Sequence, residues 1–474
     1  MEKMLEKHLQ RQLKLITLLY TRGDLTFKEI QFQLGYSPTT FRKDLVAINT
    51  LIAPSKINQI QDFLYQLVLE ESIESVYTLF MTASFEFQLL NEILLKKTTI
   101  TKLAQTFFCS ESTIRRSLTK ISSILAEDFN LTINTKTLWL EGAESTLLSF
   151  VAHFLKEYYG ASHHFLSSTQ RELLYKMYIE RATYYQENFL ATTQERFALF
   201  VYAIILAKRH GQTFTFLANR SFDALWQTSK SPFLQEFGVP LSDELMKKIS
   251  SIFFNDTFFL TYHALTIAQI KDTAVHATYT TIYEMIHLTK EKYHLMCEEE
   301  ERLVLTLYNF CTLLYGREYI LFDRYRYFIE HFSQEHSEFF QWLHQSVCRI
   351  SKINNSDKQE HFLFLFITQW PELYQYLSTP PVKMKIGIYF TSDKQHNDFL
   401  TFYLKQKFSA TCEIINLYEH PSADTIDVLI ANKPSVYQQA KPFKLIVATL
   451  FPDKQLLQKI NKAYKEWIDS NKHF

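Results

Sequence analysis

Residues 37–45 read SPTTFRKDL, and residues 110–118 read SESTIRRSL, 73 positions further along the 474-residue chain. Ser37, Thr40, Arg42 and Leu45 recur as Ser110, Thr113, Arg115 and Leu118, while Phe41 and Lys43 give way to the similar Ile114 and Arg116. A short pattern repeated at a fixed offset marks a supersecondary unit used twice. That repeat limits the architectures open to the N-terminal third more than any other feature.

Around the first copy, Phe27, Ile30 and Leu34 recur at helical spacing, and Gly35 then permits a tight turn. Ser37 suits a helix N-cap and Pro38 the first helical position. The next helix directs Phe41, Leu45, Ile48 and Ile52 inward, which leaves Thr39, Lys43 and Thr50 outward with Thr40 and Arg42 at the flank. The second copy repeats the logic. Ile100, Leu103 and Phe107 form its first helix, and Ser110 caps the second. Ile114, Leu118, Ile121 and Leu125 then face inward, with Ser112, Arg116, Thr119 and Ser123 outward and Arg115 at the flank. Residues 131–142 alternate like a small hairpin, the place of a wing. Helix, turn and a second helix with a basic outer face describe a helix-turn-helix.

Two solvated amphipathic helices would show the same periodicity, so the charge distribution decides. Formal net charge is zero, with 50 basic and 50 acidic residues. Yet residues 1–56 hold nine bases against five acids, and residues 96–122 hold six bases against Glu111 alone. Residues 57–95, between them, hold six acids and no base. Positive charge is confined to the two helix pairs, where phosphate neutralisation needs it. The expected partner is double-stranded DNA, contacted by Ser37, Thr39, Thr40, Arg42 and Lys43 and by Ser110, Ser112, Thr113, Arg115, Arg116 and Lys120. The outward faces offer no Asn or Gln to grip adenine, so phosphate contacts and DNA shape should dominate.

Other functions lack their raw material. The chain has eight glycines and no Gly-rich phosphate cradle. Its five cysteines form no CxxC pair, which points to a reduced compartment without disulfide or zinc framework. The apolar run 197–207 lies between Arg196 and Lys208 and is shorter than the ~20 residues that span a bilayer. The N-terminus is charged and lacks a signal-peptide core. These features predict a cytoplasmic protein without metal, cofactor, membrane segment or catalytic activity.

Residues 165–380 read as helical, and they too contain a repeat: ERFALFVYAIILAKRHG from Glu195 and ERLVLTLYNFCTLLYG from Glu301, with Tyr202 opposite Tyr308. Two helical bundles in succession account for it. Paired prolines at 380 and 381 mark a boundary. Beyond them strands (383–390, 411–418, 425–433, 443–450) alternate with helices (397–408, 455–468), which predicts a small parallel α/β domain.

In that order, tandem winged helix-turn-helix units, two bundles and an α/β domain resemble the Mga-type transcription regulators. The resemblance implies a mainly α chain: helix-turn-helix domains at 1–57 and 58–160, phosphotransferase regulation domains at 165–280 and 285–379, and an enzyme IIB-like domain at 382–474. It also implies histidines that accept phosphate from phosphocarrier proteins of the sugar phosphotransferase system. The family's first such position holds Tyr202 and Tyr308 here, and tyrosine forms no phosphoramidate. His263, after an apolar run late in the first bundle, is the better candidate, its counterpart in the second bundle being Gln369; His210 is the weaker one. The enzyme IIB class places a nucleophilic cysteine after its first strand, whereas this chain has YFTSDKQH there and Cys412 later. Assembly of a homo-oligomer through this domain is the expectation. The rival readings are an RNA-binding antiterminator, disfavoured by the helical N-terminus, and a phosphocarrier protein, disfavoured by the missing cysteine.

Overall fold

The computed structural model describes residues 1–61, 63–160, 165–185, 191–214, 226–251, 258–312, 317–348, 356–378, 383–409, 411–419, 426–433 and 443–471. The chain forms two compact units, residues 1–369 and 370–474.

The first helix pair begins with α1 (Lys7–Arg22), followed by the two-residue strand β1 (Leu25–Thr26), α2 (Phe27–Leu34) and α3 (Pro38–Leu51). Thr26 and Glu29 form a reciprocal capping box on α2, and Ser37 caps α3 by accepting from the Thr40 N–H at 3.1 Å. Strands β2 (Lys56–Gln61) and β3 (Leu64–Val68) pair antiparallel, and β1 pairs with β3. This hairpin is a wing on the first unit. The Asn49 side chain fixes it, accepting from the Ile57 N–H at 2.7 Å and donating to the Ile57 carbonyl at 3.0 Å. A boundary at 57 therefore falls inside an element of the first unit. The polar run KINQIQ carries no hydrophobic alternation that would announce the strand.

α4 (Ile73–Ala83) and α5 (Phe85–Leu95) lead to the second pair, α6 (Ile100–Thr106) and α7 (Glu111–Phe129), where Ser110 repeats the cap on Thr113 N–H at 3.1 Å. Strands β4 (Thr132–Ile133) and β5 (Leu140–Glu141) form its small hairpin. α8 (Glu144–Tyr159) then packs on α4 and on α10 (Ala191–Arg209), with α9 (Ser168–Tyr185), α11 (Lys230–Phe237) and α12 (Asp243–Ile249) around α10. α13 (Tyr262–Lys271), α14 (Thr273–Tyr293), α15 (Glu300–Thr312), α16 (Arg324–Glu335), α17 (Ser337–Val347) and α18 (Ser356–Thr368) follow. Tyr202 on α10 and Tyr308 on α15, opposite one another in the repeat, are both buried. One apolar core runs from Met4 through both helix pairs and α8–α12, and takes in Ile320, Leu321 and Phe322.

In the second unit α19 (Pro371–Ser378) precedes a four-stranded sheet of β6 (Met384–Tyr389), β7 (Cys412–Asn416), β8 (Val428–Ala431) and β9 (Lys444–Val447). The order is β7-β6-β8-β9 and every pair is parallel, with α20 (Lys394–Phe408) and α21 (Lys454–Asn471) as its helices. The mainly helical chain with a small parallel C-terminal sheet is the fold class that the residue patterns predict.

The repeat is closest where it builds helices, and it diverges at the turn. Gly35 closes α2 in the left-handed region at φ 68°; the residue 73 positions on is Phe108, at φ 51° and 97% exposed. A side chain at that dihedral costs about 1 kcal/mol that glycine avoids, and this phenyl ring buries nothing in return. Phe108→Gly is expected to raise unfolding stability by about 1 kcal/mol, read as a higher urea midpoint at unchanged slope.

Candidate nucleic-acid interface

The outward face of α3 consists of Thr39, Arg42, Lys43, Val46 and Thr50, all exposed; that of α7 consists of Ser112, Arg115, Arg116, Thr119 and Ser123, also exposed. The repeated nonapeptide separates into two tasks. Ser37 and Ser110 are exposed but bound as caps, and their hydroxyls also meet those of Thr40 at 2.8 Å and Thr113 at 2.9 Å. Ser112 Oγ lies 2.7 Å from Ser110 Oγ. Thr40 and Thr113 are half-buried in consequence. Leu45 and Leu118 pack on the core. Of the four residue identities shared by the copies, only Arg42 and Arg115 remain without a folding role.

Each helix is held by its own polar latch. On the inner side of α3, Asp44 is 4% exposed and accepts from Arg11 Nε at 2.6 Å, Gln12 Nε2 at 3.2 Å and Tyr36 Oη at 2.9 Å. Burial pushes the Asp44 carboxyl upward, but the bonds from Arg11, Gln12 and Tyr36 and the Arg11 charge outweigh it and hold it below the usual range. Desolvation and the Asp44 bond keep the Tyr36 hydroxyl protonated. In the second pair, Lys120 takes this part. Its amine donates to Glu86 Oε1 at 2.8 Å and to the Met4 carbonyl at 3.1 Å, which draws it off the outward face. Lys120 thus differs from the outward position expected of it: its ammonium is half-buried and directed to Glu86 and the Met4 carbonyl. Arg115 sits 3.6 Å from Glu111, an exposed pair one turn apart and a weak restraint.

Val46, 69% exposed at the centre of the α3 face, is absent from the sequence-derived set because a single valine there breaks no helical pattern. In a major groove an apolar side chain meets the thymine methyl group. Its counterpart on α7 is Thr119, also exposed.

The two histidine candidates stand differently. His263 is exposed at the second residue of α13, behind the Thr261 cap. His210 is half-buried, its ring stacked on Trp139 at 4.0 Å and 11°. Burial, together with the Lys97 and Arg209 charges, pushes its pKa down to about 4 against a bond to the Leu94 carbonyl. A phosphoryl group on His210 would have to displace that stack. In the C-terminal unit, Cys412 is buried at the start of β7 and burial raises its thiol pKa, the reverse of an activated nucleophile. After β6, where no cysteine stands, Ser392 Oγ meets His396 Nδ1 at 2.6 Å and His396 Nε2 meets the Leu450 carbonyl at 2.6 Å.

Residues 6–61 match the M protein trans-acting positive regulator (MGA) HTH domain, and residues 69–155 match the Mga helix-turn-helix domain. The chain carries the two helix-turn-helix domains of an Mga-type regulator. Beyond them it is similar to the "Putative trans-acting regulator" of Streptococcus pneumoniae serotype 4 (strain ATCC BAA-334 / TIGR4), 22% identical over 445 residues that cover 86% of this chain and 87% of that protein. An Mga-type trans-acting transcriptional regulator therefore accounts for the N-terminal units and for the length of the match. Among the described residues no helix is long and apolar enough to cross a membrane.

The exposed basic pairs generate a quantitative expectation for this regulator. Replacing Arg42 and Lys43 together by alanine, or Arg115 and Arg116 together, should weaken DNA binding. Each phosphate interaction removed should flatten the log–log salt dependence by about 0.9. Salt titrations of binding check this, and unchanged slopes in both double variants would remove these helices from the interface.

Proposed function

We propose that this regulator binds double-stranded DNA through both helix-turn-helix units and adjusts that binding to sugar phosphotransferase status. The observation that carries the reading is the pair of solvent-facing basic helices, α3 and α7, set on latched domains; among the described residues Glu111 is the one acidic partner on their outer faces. Residues 1–125 are mainly helical, with one small three-stranded wing sheet, rather than the short β-rich modules of an antiterminator, which favours DNA over RNA.

His263 is the residue proposed to receive the phosphoryl group from a phosphocarrier protein. It is exposed, so a partner's active site can reach it. It also lies in the first turn of α13, where the helix dipole and unbonded N–H groups favour a dianion. Its neighbour Tyr262 is engaged with Tyr279, hydroxyl to hydroxyl at 2.8 Å, so added charge at 263 would act on the α13–α14 packing. His263→Asp and His263→Ala should then shift DNA affinity in opposite directions, as read by titration with labelled operator DNA. Identical behaviour of the two, with no transfer of label from phosphocarrier proteins, would leave His263 without a regulatory part.

Assembly into a homo-oligomer is proposed to use the C-terminal unit. Phe399 and Phe402 on α20 are 46% and 63% exposed, and Leu450 and Phe451 after β9 are 58% and 67% exposed. The His396–Leu450 bond ties the start of α20 to the segment after β9, so both exposed apolar segments belong to the surface proposed for assembly. Tyr418 is exposed as well, whereas Tyr403 packs on the unit's core. Phe402→Glu with Phe451→Glu should reduce the sedimentation coefficient to that of a smaller species while leaving the circular dichroism unchanged. An unaltered coefficient would direct the search for the interface elsewhere.

A further inference from the structure

The centre of each outward helix face offers methyl groups where a base-reading surface more often offers amides. On α3, Thr39, Val46 and Thr50 run down the middle of the face, with Arg42 along one edge and Lys43 along the other. Val46 is 69% exposed, so its methyl groups are not spent on the core. Thr50 turns its hydroxyl back along the helix and donates to the Val46 carbonyl at 2.9 Å. With that oxygen bonded to the backbone, the γ-methyl is the outer group of an exposed side chain.

α7 repeats the arrangement with other residues. Ser112, Thr119 and Ser123 occupy the centre and Arg115 and Arg116 the edges, each 73 positions after its counterpart. Thr119 donates to the Arg115 carbonyl at 2.9 Å, so the residue opposite Val46 also directs a methyl outward. The Ser112 hydroxyl is held 2.7 Å from that of Ser110. Valine and threonine have the same branched shape, and the bond to the backbone withdraws the single donor that distinguishes threonine. The two copies thus differ in identity at this position and agree in what they present.

We propose that Val46 and Thr119 select thymine by its 5-methyl group, so that each half-site carries a thymine facing the middle of its helix. This selection presupposes that α3 and α7 bind DNA, as proposed above, and specifies what their centres meet there. In the major groove thymine offers an O4 acceptor and a methyl group. Val46 has no donor for O4 and that of Thr119 is engaged, which leaves the methyl as the feature both can recognise. The cations on the edges face the groove walls, where the phosphates lie. The half-sites need share no more than this thymine, because Lys43 and Thr50 on α3 stand opposite Arg116 and Ser123 on α7. Cytosine methylated at C5 carries the same group at the same place on the ring, so methylation there should raise affinity for a site that cytosine weakens.

The test takes a duplex enriched from random DNA by the full chain and resynthesises it with uracil for thymine, which removes the methyl groups and keeps the base pairs. Parent binding should fall about three- to fivefold for each contacted thymine, at an unchanged salt slope. Cytosine at a contacted position should bind more weakly than thymine, and 5-methylcytosine should regain part of the loss. Val46→Ser with Thr119→Ser, both at exposed positions, should bind the thymine and uracil duplexes alike. Thr119→Val keeps the methyl and should discriminate as the parent does. Equal affinity of the parent for the two duplexes, with a steep salt dependence, would overturn the selection of thymine and leave DNA binding standing. Full discrimination by the double serine variant would overturn it too, since the methyl would then be sensed elsewhere or through DNA shape. No enrichment of any duplex, with no salt-dependent binding of random DNA, would remove the DNA-binding proposal itself and this selection with it.

Discussion

The Glu157 carboxylate holds the first unit of the chain together at its most improbable point. Three successive peptide N–H groups converge on one side chain, and each such bond to a charged acceptor contributes about 1.5–3 kcal/mol before the cost of removing the carboxylate from water. That cost is substantial: burial pushes the Glu157 pKa up against the three bonds and the Arg324 charge. What the bonds achieve is positional. Residues 320–322 lie 163 to 165 positions away in sequence, and their side chains join the core that the helix pairs also share. No local propensity could bring them there.

With that tie in place, α8 becomes a common strut. Its N-terminal turn follows the hairpin of the second helix pair, its middle packs on α4 and α10, and its C-terminal turn holds the segment that opens α16. A second joint lies beside it, where His210, directly after α10, stacks on Trp139 just ahead of β5. The first helix pair has joints of its own. Tyr77 of α4 meets Thr17 of α1 at 2.8 Å and Tyr327 of α16 at 3.2 Å, and the Tyr20 and Tyr327 rings lie edge to face at 5.5 Å. A cleft of about 650 Å³, lined by Lys14, Thr17, Tyr77, Arg317 and Tyr327 among others, opens at this place. Both helix-turn-helix units therefore touch helices far beyond them in sequence, which is the minimum that regulation from those helices requires.

How much of this is legible in the residues follows from the range of the interaction concerned. Ser37, Ser110, Thr26 and Pro38 act on backbone groups within three positions, so their consequences are visible in a short string. The apolar faces of α3 and α7 are equally local. The first wing is not visible, because KINQIQ is polar and its strand is defined by Asn49 and by pairing with β3. Lys120 departs from its expected position for a related reason. Helical periodicity places it near the outward face, and only the partners Glu86 and Met4, 34 and 116 positions away, turn it inward.

The comparison of the two copies explains why their resemblance stops where it does. Caps and core positions are shared because both copies must make the same helix at the same angle. The latches are not shared: Asp44 has Ser117 opposite it, and Lys120 has Ala47. Each unit packs against a different surface, α1 in one case and α5 in the other, and the latch answers to that surface. The outward faces differ too, with Val46 opposite Thr119 and Lys43 opposite Arg116. Two units of one fold with unlike faces, fixed in a single chain, cannot present the two-fold symmetry with which a repressor dimer meets a palindrome. On the proposed function, each chain would read two different half-sites in a set order, and any symmetry in the operator would have to come from the pairing of chains.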